Sequence, residues 1–120
     1  MKTVLTVDDS PSVRQMVRLA LSNAGYAVVE AGDGVQGLTV SKRQPVNLII
    51  TDLNMPNMDG LEFIRSLRQL SAYRGVPIVF LTTQSDDGLK SQAKAAGATG
   101  WITKPFKPEQ LLAVAKKLLG

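Results

Sequence analysis

The sequence predicts an α/β fold in which helices cover both faces of a parallel β-sheet. Five short apolar runs alternate with five amphipathic stretches along the chain. The runs are continuously apolar, which is typical of strands buried on both faces. Strict alternation of such strands with helices favours a parallel sheet. A chain of 120 residues suits one domain of this kind, and no linker or internal repeat divides it.

The first half of the chain predicts three strands and two helices. The first helix begins at Ser10 and Pro11, a capping residue followed by proline at the first helical position, and it ends at Gly25. The second helix runs from Val35 to Arg43 after a Gly-Asp-Gly turn, and Pro45 stops it. The predicted strands are Thr3–Val7, Tyr26–Ala31 and Asn47–Thr51. The apolar face of the first helix comprises Val13, Met16, Val17, Ala20, Leu21 and Ala24.

The second half predicts three helices and two strands. The fourth helix is capped by Ser85 and ends at Gly97, and the fifth begins at Lys107 and Pro108. The strands are Pro77–Leu81 and Trp101–Thr103. The apolar face of the third helix comprises Leu61, Phe63, Ile64, Leu67 and Leu70.

The composition excludes several kinds of chemistry. The chain has no cysteine and no histidine, so disulfides, thiol or imidazole catalysis and Cys- or His-ligated zinc are excluded. Its longest apolar runs are far shorter than the roughly 20 residues of a membrane helix. The 14 basic residues are scattered among 10 acidic ones, and the six aromatic residues form no stacking stripe, so we expect no nucleic-acid site.

Polar side chains follow four of the five predicted strands at the point where each strand ends. The carboxyl ends of parallel strands meet at one edge of a sheet, which is where such folds bind ligands. We therefore expect these side chains to share one cleft, although each acidic residue alone could be a turn or capping signal. The residues are Asp8, Asp9, Asp52, Thr82, Thr83 and Lys104.

This set of side chains favours metal-assisted phosphoryl transfer. Three carboxylates in one cleft repel each other unless a cation is present, and a small hard cation such as Mg²⁺ prefers oxygen ligands. Without histidine or cysteine, the natural nucleophile is a carboxylate. Thr82 offers a hydroxyl donor and Lys104 an ammonium group for the phosphoryl oxygens.

The same residues, in this order and with this spacing, resemble the response-regulator receiver domain over essentially the whole chain. The resemblance implies a flavodoxin-like (βα)5 fold with strand order 2-1-3-4-5. It implies that Asp52 takes a phosphoryl group from a histidine kinase. It also implies Mg²⁺ held by Asp9, Asp52 and the backbone carbonyl of Asn54, with Asp8 acting largely through water. The motifs are Asp8-Asp9, Asp52, Asn54-Met55-Pro56, Asp59-Gly60, Thr82 and Lys104-Pro105-Phe106.

The resemblance assigns further roles near this site. Thr82, Thr83 and Lys104 would bind the phosphoryl oxygens, and a cis Lys104–Pro105 bond would place Lys104 in the cleft. Trp101 stands at the family's switch position, where tyrosine or phenylalanine is commoner. Gln84 stands where close relatives often have glutamate, at a position that tunes dephosphorylation, so the lifetime of the phosphorylated state stays open.

Within the family, the chain resembles the stand-alone chemotaxis regulators of the CheY kind. The resemblance implies a cytoplasmic, monomeric signalling protein that catalyses only its own phosphorylation and dephosphorylation. Its partners would be a chemotaxis-type histidine kinase and an output protein, such as the flagellar motor switch protein. The output protein would dock on the face formed by the fourth helix, fifth strand and fifth helix. One departure is charge, because the 14 basic and 10 acidic residues leave 13 against 7 once Lys104 and the three site aspartates are set aside.

Three other functions fit parts of the pattern. An aspartate-nucleophile phosphatase of the haloacid dehalogenase type needs a second aspartate two residues after the nucleophile, where this chain has Asn54. A flavodoxin-like cofactor carrier needs a phosphate-cradling loop after the first strand, where Asp8 and Asp9 would repel an anion. A phosphate shuttle or sink in a phosphorelay remains open on the sequence.

Overall fold

The computed structural model describes residues 1–83 and 87–119 and contains one five-stranded parallel sheet of order β2-β1-β3-β4-β5. The predicted class and strand order are therefore confirmed. Each strand boundary lies within one residue of its predicted position. The strands are β1 (Thr3–Val7), β2 (Ala27–Ala31), β3 (Leu48–Asp52), β4 (Ile78–Thr82) and β5 (Gly100–Thr103).

Five α-helices in the described part of the chain connect and follow the strands. They are α1 (Pro11–Ser22), α2 (Gly34–Arg43), α3 (Gly60–Gln69), α4 (Asp87–Ala96) and α5 (Pro108–Leu119). A short 3₁₀ turn at Ser71–Tyr73 follows α3. No helix in the described part of the chain is long and apolar enough to span a membrane.

Two apolar clusters lie on opposite faces of the sheet. Successive side chains of a strand point to opposite faces, so each central strand feeds both clusters. One cluster, packed against α2, α3 and α4, contains Leu5, Val7, Ile49, Phe63 and Phe80. The other, packed against α1 and α5, contains Val4, Leu48, Ile50, Leu81 and Leu111. Burial on both faces explains why the strands are continuously apolar, and it leaves their carboxyl ends as the polar edge.

Several boundaries differ from the predicted ones. Asp52 and Thr82 are the last residues of β3 and β4, because the β3–β4 ladder pairs Asp52 with Leu81 and so continues past the apolar run. Ala24 was predicted on the apolar face of α1, but the helix ends at Ser22 and Ala24 is exposed. Asp33 is more than a turn residue, because its carboxylate caps α2 by accepting from the Gln36 N–H. The predicted cap Ser85 lies outside the described residues.

Candidate functional site

Three carboxylates converge at the carboxyl edge of the sheet. Asp8 and Asp9 directly follow β1, and Asp52 ends the neighbouring strand β3. One carboxylate oxygen from each of the three residues lies within 4.8 Å of the other two. The predicted acidic cluster is therefore present, built by two adjacent strands whose ends lie side by side.

Lys104 lies between two of these carboxylates. Its Nζ is 3.4 Å from Oδ2 of Asp8 and 3.3 Å from Oδ2 of Asp52. The Lys104 N–H donates to the Thr82 carbonyl at 2.7 Å, and the Lys104–Pro105 peptide bond is cis. One ammonium group thus faces three negative charges, so the cluster keeps a surplus of negative charge.

Asp8 is the most buried of the three carboxylates. It is 0% exposed, its Oδ1 accepts from the Ser10 N–H at 2.9 Å, and its own N–H donates to the Ala31 carbonyl at 3.1 Å. Burial raises the pKa of Asp8 above its ordinary value, and the nearby Asp52 charge raises it further. The Ser10 N–H and the Lys104 charge act in the opposite direction but do not cancel the effect of burial. Ionising the Asp8 carboxyl within the folded protein is therefore costly.

Asp52 has two oxygens in different environments. Oδ1 accepts from the Leu53 N–H at 2.8 Å, whereas Oδ2 lies 3.3 Å from Lys104. The residue is only 9% exposed, and the Thr51 hydroxyl donates to its backbone carbonyl at 2.8 Å. The hydrogen bond from the Leu53 N–H fixes the orientation of the carboxylate, so Oδ2 is directed toward Lys104.

Three carboxylates that Lys104 balances only in part suit a small hard metal ion. Carboxylate oxygens are the preferred ligands of Mg²⁺, which retains several waters and needs few protein donors. A bound divalent ion would offset the mutual repulsion of Asp8, Asp9 and Asp52. The residues present thus fit the metal implied by the sequence.

The remaining polar residues predicted for the site lie at the end of β4 and in the loop that follows β3, apart from Gln84. Thr82 is buried at the end of β4, one residue past the partner of Asp52, whereas Thr83 is exposed directly after that strand. Asn54 lies in the loop between β3 and α3 with an exposed side chain. Gln84 lies outside the described residues.

Trp101 lies apart from the acidic cluster. It is in β5, paired in register with Phe80 and three residues before Lys104. Trp101 is 47% exposed, its ring centroid lies 6.1 Å from that of Phe80, and Lys90 Nζ is 4.5 Å from the Trp101 centroid. A cation over an aromatic face is attractive, so Lys90 stabilises the exposed orientation seen here.

Arg14 is a neighbour of the site that the sequence does not predict. Arg14 on α1 donates through its NH1 group to the backbone carbonyl of Asp8, and its Nε lies 3.2 Å from Glu30 on β2. Arg18, one turn further along α1, lies 2.5 Å from the other Glu30 oxygen. The spacing of four residues between the two arginines places them on one helix face, but the sequence does not show that this face meets Glu30.

A contact between Asp33 and Asn57 is likewise not predicted by the sequence. Asn57 Nδ2 donates to Asp33 Oδ2 at 2.8 Å, joining the start of α2 to the loop that carries Asn54. Together with the Gln36 N–H, this contact lowers the pKa of Asp33. The Asp-x-x-Gln spacing from Asp33 to Gln36 signals a helix start, but nothing local signals Asn57 as a partner.

Residues 4–116 match the family model of the response regulator receiver domain. The chain belongs to the response regulator receiver domain family. The resemblance to receiver domains that the strand-end residues indicate is therefore confirmed. The predicted fold is confirmed as well, because it is the fold of receiver domains. Receiver domains act in two-component signalling and bind Mg²⁺ in an acidic site. They are signalling proteins rather than conventional enzymes.

Solved receiver structures closely match this one. The chemotaxis protein CheY4 of Vibrio cholerae has a TM-score of 0.95 and 46% identity, with 98% of each chain covered. The receiver domain of the sensor histidine kinase PA1611 from Pseudomonas aeruginosa, solved with a magnesium ion in its active-site cleft, has a TM-score of 0.91 and 29% identity. That match covers 99% of this receiver and 98% of the other chain.

Curated relatives include both short and long proteins. A probable chemotaxis protein CheY of Rhizobium etli is 36% identical over 98% of this chain and 92% of its own length. The phosphate regulon transcriptional regulatory protein PhoB of Pseudomonas aeruginosa is also 36% identical over 98% of this chain. The receiver spans 52% of PhoB, about half its length.

Proposed function

We propose that this receiver is the phospho-acceptor of a two-component pathway and that Asp52 is the residue phosphorylated. The observation that carries the proposal is the position of the Asp52 carboxylate. One oxygen is tied to the Leu53 N–H, and the other faces Lys104 within a cluster of three carboxylates. A nucleophile for phosphoryl transfer needs this combination of fixed orientation and nearby positive charge.

In the proposed reaction, an Asp52 oxygen attacks the phosphorus of a phosphohistidine on the kinase. The new P–O bond forms as the P–N bond breaks, and the imidazole nitrogen keeps the bonding electron pair. The product is an acyl phosphate on Asp52. The receiver orients its carboxylate for this transfer, and the donor supplies the phosphoryl group.

The Mg²⁺ ion would be held by Asp9, Asp52 and the backbone carbonyl of Asn54. Asp8 would contribute through water. The burial of Asp8 and the exposure of Asp9 support this division, because the exposed carboxylate is the more accessible to an ion from solution. When bound, the ion supplies charge stabilisation for the phosphoryl oxygens.

Lys104, Thr82 and Thr83 would contact the phosphoryl group. Lys104 already lies between Asp8 and Asp52, so its ammonium group is close to the oxygen that would bear the phosphoryl group. The position of Thr82 at the neighbouring strand end supports a hydroxyl contact. Gln84 stays a prediction as the residue that tunes dephosphorylation.

The output would be a change in partner binding. Phosphorylation would draw Thr82 toward the phosphoryl oxygens and let Trp101 rotate inward from its exposed position. This would reshape the face formed by α4, β5 and α5, where an output protein would dock. The phosphoryl group shifts the equilibrium only as far as it interacts differently with the two states.

Chemotaxis is the pathway that the similarities favour. The identity to CheY4 and the 92% coverage of the Rhizobium etli protein support a regulator of the CheY kind. We propose a single domain over residues 1–120 that acts as a cytoplasmic monomer. Its partners would be a chemotaxis-type kinase and an output protein such as the flagellar motor switch protein, with neither membrane nor nucleic acid bound.

A phosphate shuttle or sink is the second candidate. It is favoured by the similarity to the receiver domain of the sensor histidine kinase PA1611. Both functions use the same acceptor chemistry, so they differ only in what the phosphorylated receiver does next. Binding of the phosphorylated receiver to purified motor switch protein would favour the chemotaxis role, whereas rapid transfer to a histidine phosphotransfer protein would favour a relay.

Incubation with acetyl phosphate, followed by intact mass measurement, tests the acceptor function. We expect one phosphoryl group to add when Mg²⁺ is present and none when a chelator removes it. The matched control is Asp52→Asn, which retains the shape of the side chain but lacks the nucleophile. Uptake by Asp52→Asn at the wild-type rate would contradict the assignment.

A further inference from the structure

The loop between β3 and α3, residues 53–59, is anchored at two points. At its base, the Gly60 N–H donates to the Leu53 carbonyl at 2.9 Å. A Cβ atom at Gly60 would lie 2.3 Å from the Asp52 carbonyl oxygen, so only glycine allows this close return of the chain. Near its far end, the Asn57 side chain donates to Asp33 at 2.8 Å. Asn54 lies between these two anchors.

The second anchor is built from residues with fixed geometry. Asp33 is 6% exposed, and its Oδ1 accepts from the Gln36 N–H at 2.9 Å while its Oδ2 accepts from Asn57. Asn57 has a φ of 68°, a left-handed conformation that asparagine tolerates better than most residues. Asp33 is therefore fixed as the cap of α2, and Asn57 is fixed by its left-handed backbone conformation.

The two segments also pack directly together. A Cβ atom at Gly34 would lie 2.7 Å from Cγ of Met58 and 2.9 Å from its backbone oxygen. The turn that opens α2 thus touches the loop beside the Asp33–Asn57 contact. Without that hydrogen bond, the loop would still be held at its base and by this packing, but the segment that carries Asn54 would be oriented less firmly.

We propose that Asp33 is a positioning residue for the metal site, acting through Asn57 on the loop that presents the Asn54 carbonyl. This inference rests on the proposed function, which makes that carbonyl a ligand of Mg²⁺. Asp33 touches neither the ion nor the phosphoryl group. Asp33 instead fixes the loop that carries the Asn54 carbonyl oxygen. Because this ligand belongs to the backbone, its orientation depends on how firmly the loop is held.

Two substitutions remove the contact from opposite sides. Asn57→Gly deletes the amide and keeps a residue that accepts the positive φ. Asp33→Ser keeps a helix-capping oxygen but lacks the second oxygen that Asn57 contacts. The matched control is Asp59→Ser, which makes the same change at the cap of α3, where Asp59 accepts from the Glu62 N–H at 2.9 Å.

Isothermal titration with Mg²⁺ measures the effect directly. We expect Asn57→Gly and Asp33→Ser each to weaken Mg²⁺ binding by about fivefold, the effect of losing one hydrogen bond. Asp59→Ser should bind Mg²⁺ as the wild type does. The double variant Asp33→Ser/Asn57→Gly should be no weaker than either single variant, because both changes remove the same contact.

Phosphorylation by acetyl phosphate over a range of Mg²⁺ concentrations gives the second readout. We expect the half-saturating Mg²⁺ concentration to rise in both variants while the rate at saturating Mg²⁺ stays at the wild-type value. A general loss of folding would instead lower the rate at every Mg²⁺ concentration.

Wild-type affinity in both single variants, or effects that add in the double variant, would overturn the role of Asp33. A wild-type protein that binds Mg²⁺ but takes up no phosphoryl group would overturn only the proposed function, because the calorimetric comparison of the variants still holds.

Discussion

The ammonium group of Lys104 lies 3.3 Å from the Asp52 carboxylate, and the same group lies 3.4 Å from Asp8. The Lys104 ammonium group therefore forms ion pairs with two carboxylates, and the Asp9 carboxylate lies close to those of Asp8 and Asp52. The arrangement is suited to capturing a divalent ion, and it is electrostatically unfavourable until that ion arrives. Function and stability are thus opposed in this cleft.

Asp52→Asn should stabilise the metal-free fold. The substitution removes one of three mutually repelling charges, and the asparagine oxygen can still accept from the Leu53 N–H. We expect the free energy of unfolding to rise by about 1 kcal/mol in urea titrations without divalent metal. Mg²⁺ should stabilise the wild type more than the variant, because it binds the folded state more tightly when all three carboxylates are present.

Urea titrations of both proteins, each with and without Mg²⁺, decide this prediction. A variant less stable than the wild type without metal, or one that gains equally from Mg²⁺, would show that the three carboxylates do not act as one site.

Asp8→Asn should stabilise the metal-free protein at neutral pH, with a gain that shrinks in acid. Burial raises the pKa of Asp8, so the folded state holds a proton more tightly than the unfolded state. The carboxyl costs no stability below its ordinary pKa of 3.8, and the cost appears as pH rises through the raised folded value. Unfolding titrations over a pH series without divalent metal should therefore show the two proteins converging as pH falls.

Asp33→Asn is the control, because the expected change in stability has the opposite sign to that of Asp8→Asn. The pKa of Asp33 is lowered by hydrogen bonds, so its ionised form stabilises the fold above its ordinary pKa. This variant should be less stable than the wild type at neutral pH, and the difference should disappear as pH falls through the lowered folded value. A gain from Asp8→Asn that is independent of pH would refute the ionisation argument.

Thr6→Val should stabilise the protein. Thr6 in β1 is 0% exposed, and its hydroxyl has no hydrogen-bond partner among the described residues. Replacing an unsatisfied buried hydroxyl by a methyl group of similar shape removes a desolvation cost of about 1 kcal/mol. The matched control is Thr51→Val, since Thr51 is equally buried but donates to the Asp52 carbonyl at 2.8 Å. Thermal or urea unfolding should show opposite signs for the two variants, and a loss of stability in Thr6→Val would contradict the argument.

Trp101 emission should change when Mg²⁺ and beryllium fluoride, a phosphoryl mimic, bind. Trp101 is the sole tryptophan and is 47% exposed beneath Lys90, so inward rotation would alter its surroundings. Lys90→Met should alter the starting emission by removing the cation but should retain a response. Asp52→Asn should give none. Unchanged emission in the wild type, with binding shown independently, would rule out the Trp101 switch.

The strand-end residues could be predicted because the rule that unites them is geometric. Asp8, Asp52 and Lys104 are far apart in sequence, but each follows a short apolar run typical of a strand in a parallel sheet. Once those strands lie in one sheet, their carboxyl ends must share an edge. The pattern therefore located the cleft without any knowledge of side-chain contacts.

The supporting contacts could not be predicted in this way. Arg14 reaches the Asp8 carbonyl, and Asn57 reaches Asp33, only because of how a helix or loop packs against its neighbours. Such contacts depend on helix rotation and loop path, which apolar periodicity constrains only loosely. The sequence likewise placed Asp52 just beyond β3, because a buried aspartate within a ladder is not expected from apolar patterning alone.

Chemical mapping of the phosphorylated residue is the decisive test of Asp52 as the phospho-acceptor. After incubation with acetyl phosphate and Mg²⁺, borohydride reduces an aspartyl phosphate to homoserine, which peptide mass spectrometry locates in the chain. We expect homoserine at position 52 alone, dependent on Mg²⁺ and absent without acetyl phosphate. Homoserine at position 8 or 9 instead, or labelling at position 52 that persists when Mg²⁺ is chelated, would contradict it.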